Sequence, residues 1–304
     1  MGHKTNMKRY APAKKKAAGV KPTWQSDDGR VQLYRGDALK ILQRLDAGFA
    51  DLVILDPPYG TTQLAWDVPI DLESIWAGVS HARNGNAIAL GFGCQPFFTD
   101  LIASNRREFR YELIWKKSIS TGYLDCNRRP LRSHENIGVF VRRGARPSFS
   151  PQFWQGRPYT RISNGLTWCR NYGAHGGHHT ACADGRRFPL SVVESPSDSI
   201  KGHQTRKPLA LCRWLIRSYS ATDDIVLDPF LGSGSTAEAA IAEGRRVIGI
   251  EMDRARFQLA TRRIKAALEI QLATKSSREA AKTRSKEPFA ASRLRGSSSP
   301  RRST

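Results

Sequence analysis

No stretch of the chain approaches the roughly 18 consecutive apolar residues that a membrane-spanning helix needs, so no such span is expected. The first residues are basic but lack the apolar core of a secretory signal. Cysteine is scarce: Cys94, Cys126, Cys169, Cys182 and Cys212 are scattered and odd in number. That excludes a disulfide framework and suits a reducing, cytoplasmic setting. A metal-ligand pattern is lacking too. Cys169, His175, His178, His179 and Cys182 lie close together, but their spacing fits no common finger and Gly176-Gly177 reads as loop, so no metal is expected. Acidic residues are also few. Asp and Glu number 27 against 49 Lys and Arg, a formal charge of +22. Such a balance points to a polyanionic partner and says little about fold.

The positive charge is concentrated at the ends. Residues 1–22 carry seven basic side chains and no acid, and residues 275–304 carry nine basic side chains and two acids. Both ends are poor in apolar residues, so 1–29 and 274–304 are expected to be disordered basic arms. Between them, apolar strand-like runs alternate with amphipathic helical stretches. VQLY at 31–34, LVIL at 52–55 and AIALGF at 87–92 read as strands, with helices over 38–45, 72–82 and 96–105. RYELIWKK and NIGVFVRR are more polar strands. This rhythm predicts an α/β fold, a doubly wound and mostly parallel sheet. It breaks at 143–200, rich in Gly, Pro, Arg, His and aromatics, and too long for a structureless connection. It resumes with a helical stripe over 208–219, strand DIVLD, a small-residue helix over 236–243, strand RVIGIEMD and a helix over 254–272.

Two strand ends carry candidate chemistry. LVIL runs into Asp56-Pro57-Pro58-Tyr59. The prolines fix φ and lack N–H donors, so they hold a carboxylate, a main-chain carbonyl and an aromatic ring stiffly at the functional edge of a parallel sheet. DIVLD runs into PFLGSGSTAEAA, where Gly232 and Gly234 turn strand into helix and let the backbone approach a ligand. Glu251 ends the next strand, where an acidic side chain can accept from ribose hydroxyls. Gly232-Ser-Gly234-Ser-Thr-Ala237 also satisfies a loose dinucleotide pattern, which leaves a nicotinamide oxidoreductase open. Asp228, just before the loop, would repel a pyrophosphate but tolerates a sulfonium.

Together, LDPPYG at 55–60 and LDPFLGSGST at 227–236 resemble the amino-group DNA methyltransferases of the adenine-N6 and cytosine-N4 type. The order, catalytic motif before cofactor motif, resembles that family's β group, and the DPPY form is the one usual for adenine. GDAL at 36–39, RSHENIGVF at 132–140, GTTQLAWD at 60–67 and GHQTRKP at 202–208 resemble further family segments. In the last, Gln204 and Arg206 depart from the family's HPTQKP while Lys207 and Pro208 match. The resemblance covers roughly residues 30–272. It implies a Rossmann-like methyltransferase fold with a catalytic half at 30–142, an inserted target-recognition region at 143–200 and a cofactor half at 201–273.

The resemblance further implies S-adenosylmethionine as cofactor, held by Asp37, Lys207, Asp228, Phe230, Gly232, Ser233, Gly234, Ser235, Thr236 and Glu251. Asp56, Pro57, Pro58 and Tyr59 would receive an adenine flipped out of double-stranded DNA. Asp56 and the Pro57 carbonyl would each accept one amino N–H, and Tyr59 would stack on the base. In the inserted region, Arg157, Arg161, Trp168, Arg170, Arg186 and Arg187 are candidate DNA contacts, with a self-packed loop as the alternative. The family also has members that dimerise or pair with a restriction endonuclease. Alternatives are a cytosine-N4 enzyme, a methyltransferase of RNA or protein, and a basic DNA-binding protein whose methyltransferase site does not work.

Overall fold

The computed structural model describes residues 19–60, 67–162, 167–169, 173–175, 179–197 and 206–284, leaving the side chains of 161–181, 275–276 and 278–284 undescribed. The elements of the first half are β1 (Trp24–Gln25), β2 (Val31–Arg35), α1 (Ala38–Leu42), β3 (Ala50–Leu55), α2 (Leu72–Ala82), β4 (Arg83–Gly93), α3 (Phe97–Ser104), β5 (Phe109–Thr121) and β6 (Arg132–Val141). Short strands β7 (Trp154–Gln155), β8 (Tyr159–Ile162), β9 (Thr167–Cys169), β10 (Gly173–His175), β11 (His179–Cys182), β12 (Arg186–Arg187) and β13 (Val192–Ser195) follow. The second half adds α4 (Leu209–Tyr219), β14 (Ile225–Asp228), α5 (Ser235–Ala242), β15 (Arg246–Glu251) and α6 (Arg254–Arg284).

Among the described residues, the main sheet runs β1-β2-β15-β14-β3-β4-β6-β5-β13. β2, β15, β14, β3 and β4 are mutually parallel, and β6 is antiparallel to both β4 and β5. Both faces of the parallel strands are covered, which is why they read as unbroken apolar runs. Alternate residues of β3 serve different cores. Leu52 and Ile54 join Leu211, Leu215, Ala240 and Ile264 from α4, α5 and α6. Val53 and Leu55 join Ile41, Trp76, Val79 and Leu101 from α1, α2 and α3.

Strand order reverses between β14 and β3. From β14 the chain crosses to β15 on one side, and from β3 to β4 on the other. Open α/β sheets bind ligands outside the carboxyl ends of strands at such a switch point. The pairing Leu227↔Val53 places Asp228 and Asp56 at this edge, from adjacent strands.

Four boundaries differ from the sequence reading. Trp24 and Gln25 pair with Leu33 and Gln32, so the fold begins inside the expected arm. The region 143–200 forms three small antiparallel ladders, β7–β12, β8–β11 and β9–β10. Its last strand, β13, joins the main sheet parallel to β5, with Val192 opposite Ile114. The closing helix runs on to Arg284 rather than stopping at Leu272, since good helix formers continue with no Gly or Pro there. Residues 1–18 and 285–304 lie outside the described residues.

Candidate active site

Pro57 ends β3 as expected, and Asp56 stands at the edge with its side chain 27% exposed. Its Oδ1 accepts from the Tyr59 hydroxyl at 2.8 Å and from Lys207 Nζ at 2.7 Å. Among the described residues Oδ2 has no hydrogen-bond partner. Lys207 is therefore placed on the carboxylate of the first motif, which its position in GHQTRKP does not reveal. Its ammonium also faces Glu135 Oε2 at 3.3 Å, and Glu135 Oε1 pairs with Lys117 Nζ at 2.5 Å. The result is a chain of alternating charges, Lys117, Glu135, Lys207 and Asp56, whose first three side chains are nearly buried.

Burial alone would favour a neutral Lys207 amine, but the Asp56 and Glu135 carboxylates outweigh it and hold the pKa above the ordinary lysine range. Burial likewise pushes the Glu135 carboxyl up, and the ammoniums of Lys207 and Lys117 more than reverse that, leaving it below the usual range. Burial and the Asp56 charge raise the Tyr59 phenol, which keeps it a donor. The Tyr59 ring stacks on Phe97 with centroids 5.0 Å apart, so one face is taken by protein rather than left for a base. Phe97 reaches it because α3 lies close on β4. A side chain at Gly93 would meet Phe98 at 3.1 Å and Phe97 at 3.2 Å. The loop after the tetrad, 61–66, lies outside the described residues, and its ends are tied by Gly60 N donating to Asp67 Oδ1 at 2.8 Å.

On the neighbouring strand, Asp228 is 3% exposed. Its Oδ1 accepts from Phe230 N at 3.0 Å, and the Thr236 hydroxyl donates to the same carboxylate. Burial, reinforced by the charges of Asp56 and Glu251, pushes its pKa up to about 7 against those two donors. Gly232 and Gly234 have φ of 53° and 84°, in the left-handed region that favours glycine. A side chain at Gly234 would meet Ala260 at 3.2 Å, so this glycine lets α6 pack on the loop. At Gly232 it would meet nothing nearer than the Phe230 carbonyl at 3.8 Å, so that face of the loop is open.

Glu251 accepts from Gly232 N at 2.7 Å through Oε2 and from Asp253 N at 2.8 Å through Oε1. Burial raises its pKa despite these two donors. It thus shapes the loop, and each oxygen keeps a second lone pair for a hydroxyl donor. Ser235 Oγ accepts from Arg206 at 3.1 Å, and the Ser233 carbonyl from Arg263 at 2.5 Å. Phe230 packs against the second core. Asp37 caps α1 by accepting from Lys40 N at 3.0 Å. These residues fit S-adenosylmethionine. The loop offers open backbone and carboxylates, and among the described residues no cation pairs with Asp228.

A sequence-family model described as DNA methylase matches residues 50–262, well over half of the chain. The chain belongs to the DNA methylase family. Among its relatives, the DNA adenine methyltransferase YhdJ of Escherichia coli (strain K12) is 25% identical over 260 residues, covering 82% of this chain and 87% of that protein. The type II methyltransferase M2.MboI of Moraxella bovis is 25% identical over 260 residues, covering 80% and 91%. Among solved structures, the M1.HpyAVI–SAM complex has a TM-score of 0.53 at 26% identity, covering 77% of this chain and 98% of that one. The cytosine-N4-specific PvuII DNA methyltransferase has a TM-score of 0.56 at 15% identity, a likeness of fold, covering 84% and 96%. The doubly wound methyltransferase fold expected from the sequence is the one observed.

The inserted region of this family member shows a mixed picture. Arg157 is exposed on the β7–β8 connection. Arg186 is exposed but pairs with Asp184 at 2.5 Å and lies over the Phe153 ring at 5.2 Å. Arg187 donates to the Arg157 carbonyl and to Cys182 Sγ, and covers the Tyr159 ring at 4.3 Å. Arg187 therefore helps to build the hairpin. Arg170 and His178 lie outside the described residues, as do the side chains of Arg161, Trp168, Cys169, His175 and His179. Among the described residues no cluster of three or more metal-ligand side chains occurs. No described helix is long and apolar enough to cross a membrane.

Sequence reasoning missed Lys117, Glu135 and Phe97. Glu135 lies in the quoted segment RSHENIGVF, where a carboxylate opening an otherwise apolar strand was the available signal. Lys117 meets it only through the β5–β6 pairing, in which Glu135 lies opposite Trp115.

Proposed function

We propose that this DNA methylase transfers a methyl group from S-adenosylmethionine to the N6 amino group of an adenine flipped out of double-stranded DNA. The observation that supports this most is the state of Asp56. Its Oδ1 is tethered by Lys207 and Tyr59, while Oδ2 has no hydrogen-bond partner among the described residues, and the neighbouring parallel strand leads into the glycine loop. S-adenosylmethionine, when bound, supplies an electrophilic methyl group on a sulfonium.

An adenine amino nitrogen is a poor nucleophile because its lone pair is delocalised into the ring. Asp56 Oδ2 and the Pro57 carbonyl each accept one amino N–H, favouring a pyramidal nitrogen with its lone pair aimed at the cofactor side. Pro57 and Pro58 hold these acceptors stiffly. Lys207 and Tyr59 keep Asp56 from swinging, so catalysis rests on positioning and placed charge. Asp56 works as a hydrogen-bond acceptor and need not be a strong base. Transfer would break the sulfonium–methyl bond and leave S-adenosylhomocysteine, and the methylated amine, now acidic, would pass one proton through Asp56 to solvent. Tyr59, stacked on Phe97, serves chiefly to orient Asp56. Asp228, Gly232 and Glu251 form the cofactor cradle.

Long-read modification mapping of DNA from cells expressing the protein tests this reading. Modified adenines at one recurrent sequence are expected. Modified cytosines would favour the N4 alternative, and unmodified DNA would overturn the proposal. Within this reading the protein works in the cytoplasm, and light scattering tests whether it dimerises. A paired restriction endonuclease would be revealed by cleavage of unmodified DNA at the mapped sequence.

A further inference from the structure

Among the described residues, the most exposed large apolar side chains stand just past the end of β5. Leu124 is 99% exposed and Tyr123 77%, with Ile119 at 56% on the strand leading to them. They lie on the connection between β5 and β6, yet its backbone is well tied. Asp125 N donates to the Gly122 carbonyl, Cys126 N to Tyr123, and both Arg128 N and Arg129 N to Asp125. The Asp125 carboxylate pairs with the Arg129 guanidinium at 2.5 Å. A hydrogen-bonded turn thus presents its two largest apolar side chains to solvent, and exposed apolar groups on an ordered frame mark contact sites.

The position and charge of this tip point to one occupant. β6 starts at the carboxyl edge of β4, with Asn136 opposite Gly93, and carries Glu135 of the Lys207 network. Arg132 reaches back to Cys94 Sγ at 3.0 Å. The tip therefore stands on the functional edge, beyond the end of β6, which itself lies about 10 Å from Glu135 at ~3.3 Å per strand residue. Arg128 and Arg129 are exposed beside it, Arg129 in its pair with Asp125. Cations around an apolar tip suit a polyanion with an apolar interior, such as a base-paired duplex.

We infer that Tyr123 and Leu124 form a wedge that enters the base stack next to the target base, while Arg128 and Arg129 hold the flanking phosphates. This inference rests on the proposed function. A base held at Asp56 must leave the helix. Its departure leaves unstacked neighbours, and an inserted apolar side chain offsets that cost. The wedge would be separate from the arginines expected within 143–200.

The test uses the full chain and a duplex containing the mapped target. A second duplex carries an abasic site opposite the target, so that base is already unpaired. Tyr123→Ser/Leu124→Ser should lower kcat/KM on the normal duplex roughly tenfold to a hundredfold. On the abasic duplex the variant should come within about twofold of wild type, because the wedge's task is already done. Its affinity for S-adenosylmethionine, read by calorimetry, should be unchanged, showing an intact fold. Arg128→Ser/Arg129→Ser should lower the slope of log affinity against log salt by about one to two. Equal methylation of the normal duplex by wild type and the Tyr123/Leu124 variant would overturn the wedge. An equal defect on both duplexes would also overturn it, and would fit a protein partner or a general DNA contact instead. A wild-type chain that methylates neither duplex counts against the methylation reading itself, and against the wedge with it.

Discussion

The same three residues, Leu-Asp-Pro, end two adjacent parallel strands, at 55–57 and at 227–229. Their aspartates live in different surroundings. Asp56 is partly exposed and bonded to an ammonium and a phenol. Asp228 is buried, held by a backbone N–H and a hydroxyl, and the Asp56 and Glu251 carboxylates act on it. One position is built to keep a carboxylate oriented, and the other raises the pKa of its carboxyl to about 7 by burial. Local sequence therefore supplies the carboxylate, and the packing around it sets its role.

The sharpest way to break this comparison is to remove each side chain in turn. Asp56→Ala should lower methyl transfer by more than about a thousandfold, since positioning and charge placement carry the step. Its affinity for S-adenosylmethionine should stay within a few-fold of wild type by calorimetry. Retained turnover would show that Asp56 does not hold the reacting nitrogen.

Glu135 supports the Asp56 side of the comparison from behind. Glu135→Gln leaves Lys117 and Lys207 sharing one fewer carboxylate in a nearly buried place, and should cost about 3–5 kcal/mol in urea unfolding. The folded pKa of Glu135 is depressed, so its contribution is present above the unfolded carboxylate value and is lost as pH falls through the folded value. The gap between wild type and variant should therefore close in acid. A gap independent of pH would mean that packing, not charge, is responsible.

The Asp228 side should show the opposite sign. Its folded pKa of about 7 lies above the unfolded value of 3.8, so wild type loses stability as pH rises between the two. Asp228→Asn should be more stable than wild type at pH 8 by about 2–4 kcal/mol, at ~1.4 kcal/mol per pKa unit, with the difference fading towards pH 4. The cofactor is a cation, so proton binding at Asp228 competes with it. Wild-type affinity should fall as pH drops from 8 to 6, and the variant should lack that component. A variant as pH-sensitive as wild type would remove Asp228 from the cradle. The smallest effect is expected at Gly232. Gly232→Val forces a branched side chain to φ of 53° on the open face of the loop, and should weaken cofactor binding about tenfold to a hundredfold. Unchanged affinity would place the cofactor elsewhere.

The sequence was legible where chemistry and backbone are local. LVIL running into two prolines, and a strand running into Gly-Ser-Gly, each fix a turn at a strand end within ten residues. The parallel sheet follows from the strand–helix rhythm, because buried strands carry their own apolar signature. What stayed hidden depends on pairing across the fold. Lys207 and Asp56 are 151 positions apart, and only the packing of the 206–208 segment over β3 joins them. Glu135 and Lys117 meet by the register of an antiparallel pair, which one strand does not announce. β13 looked like part of a loop because Val192–Ser195 is too short to show a period. Both faces of Tyr59 looked open until α3 brought Phe97 against one of them.

In the proposed function Asp56 delivers an adenine amino nitrogen to a methyl group cradled at Asp228 and Gly232. The most direct measurement is a single-turnover reaction of the purified protein with methyl-labelled S-adenosylmethionine and duplex DNA, followed by mass spectrometry of the digested nucleosides. The label should appear in N6-methyladenine. Label in N4-methylcytosine, or no label in the DNA while the cofactor is consumed, would contradict it.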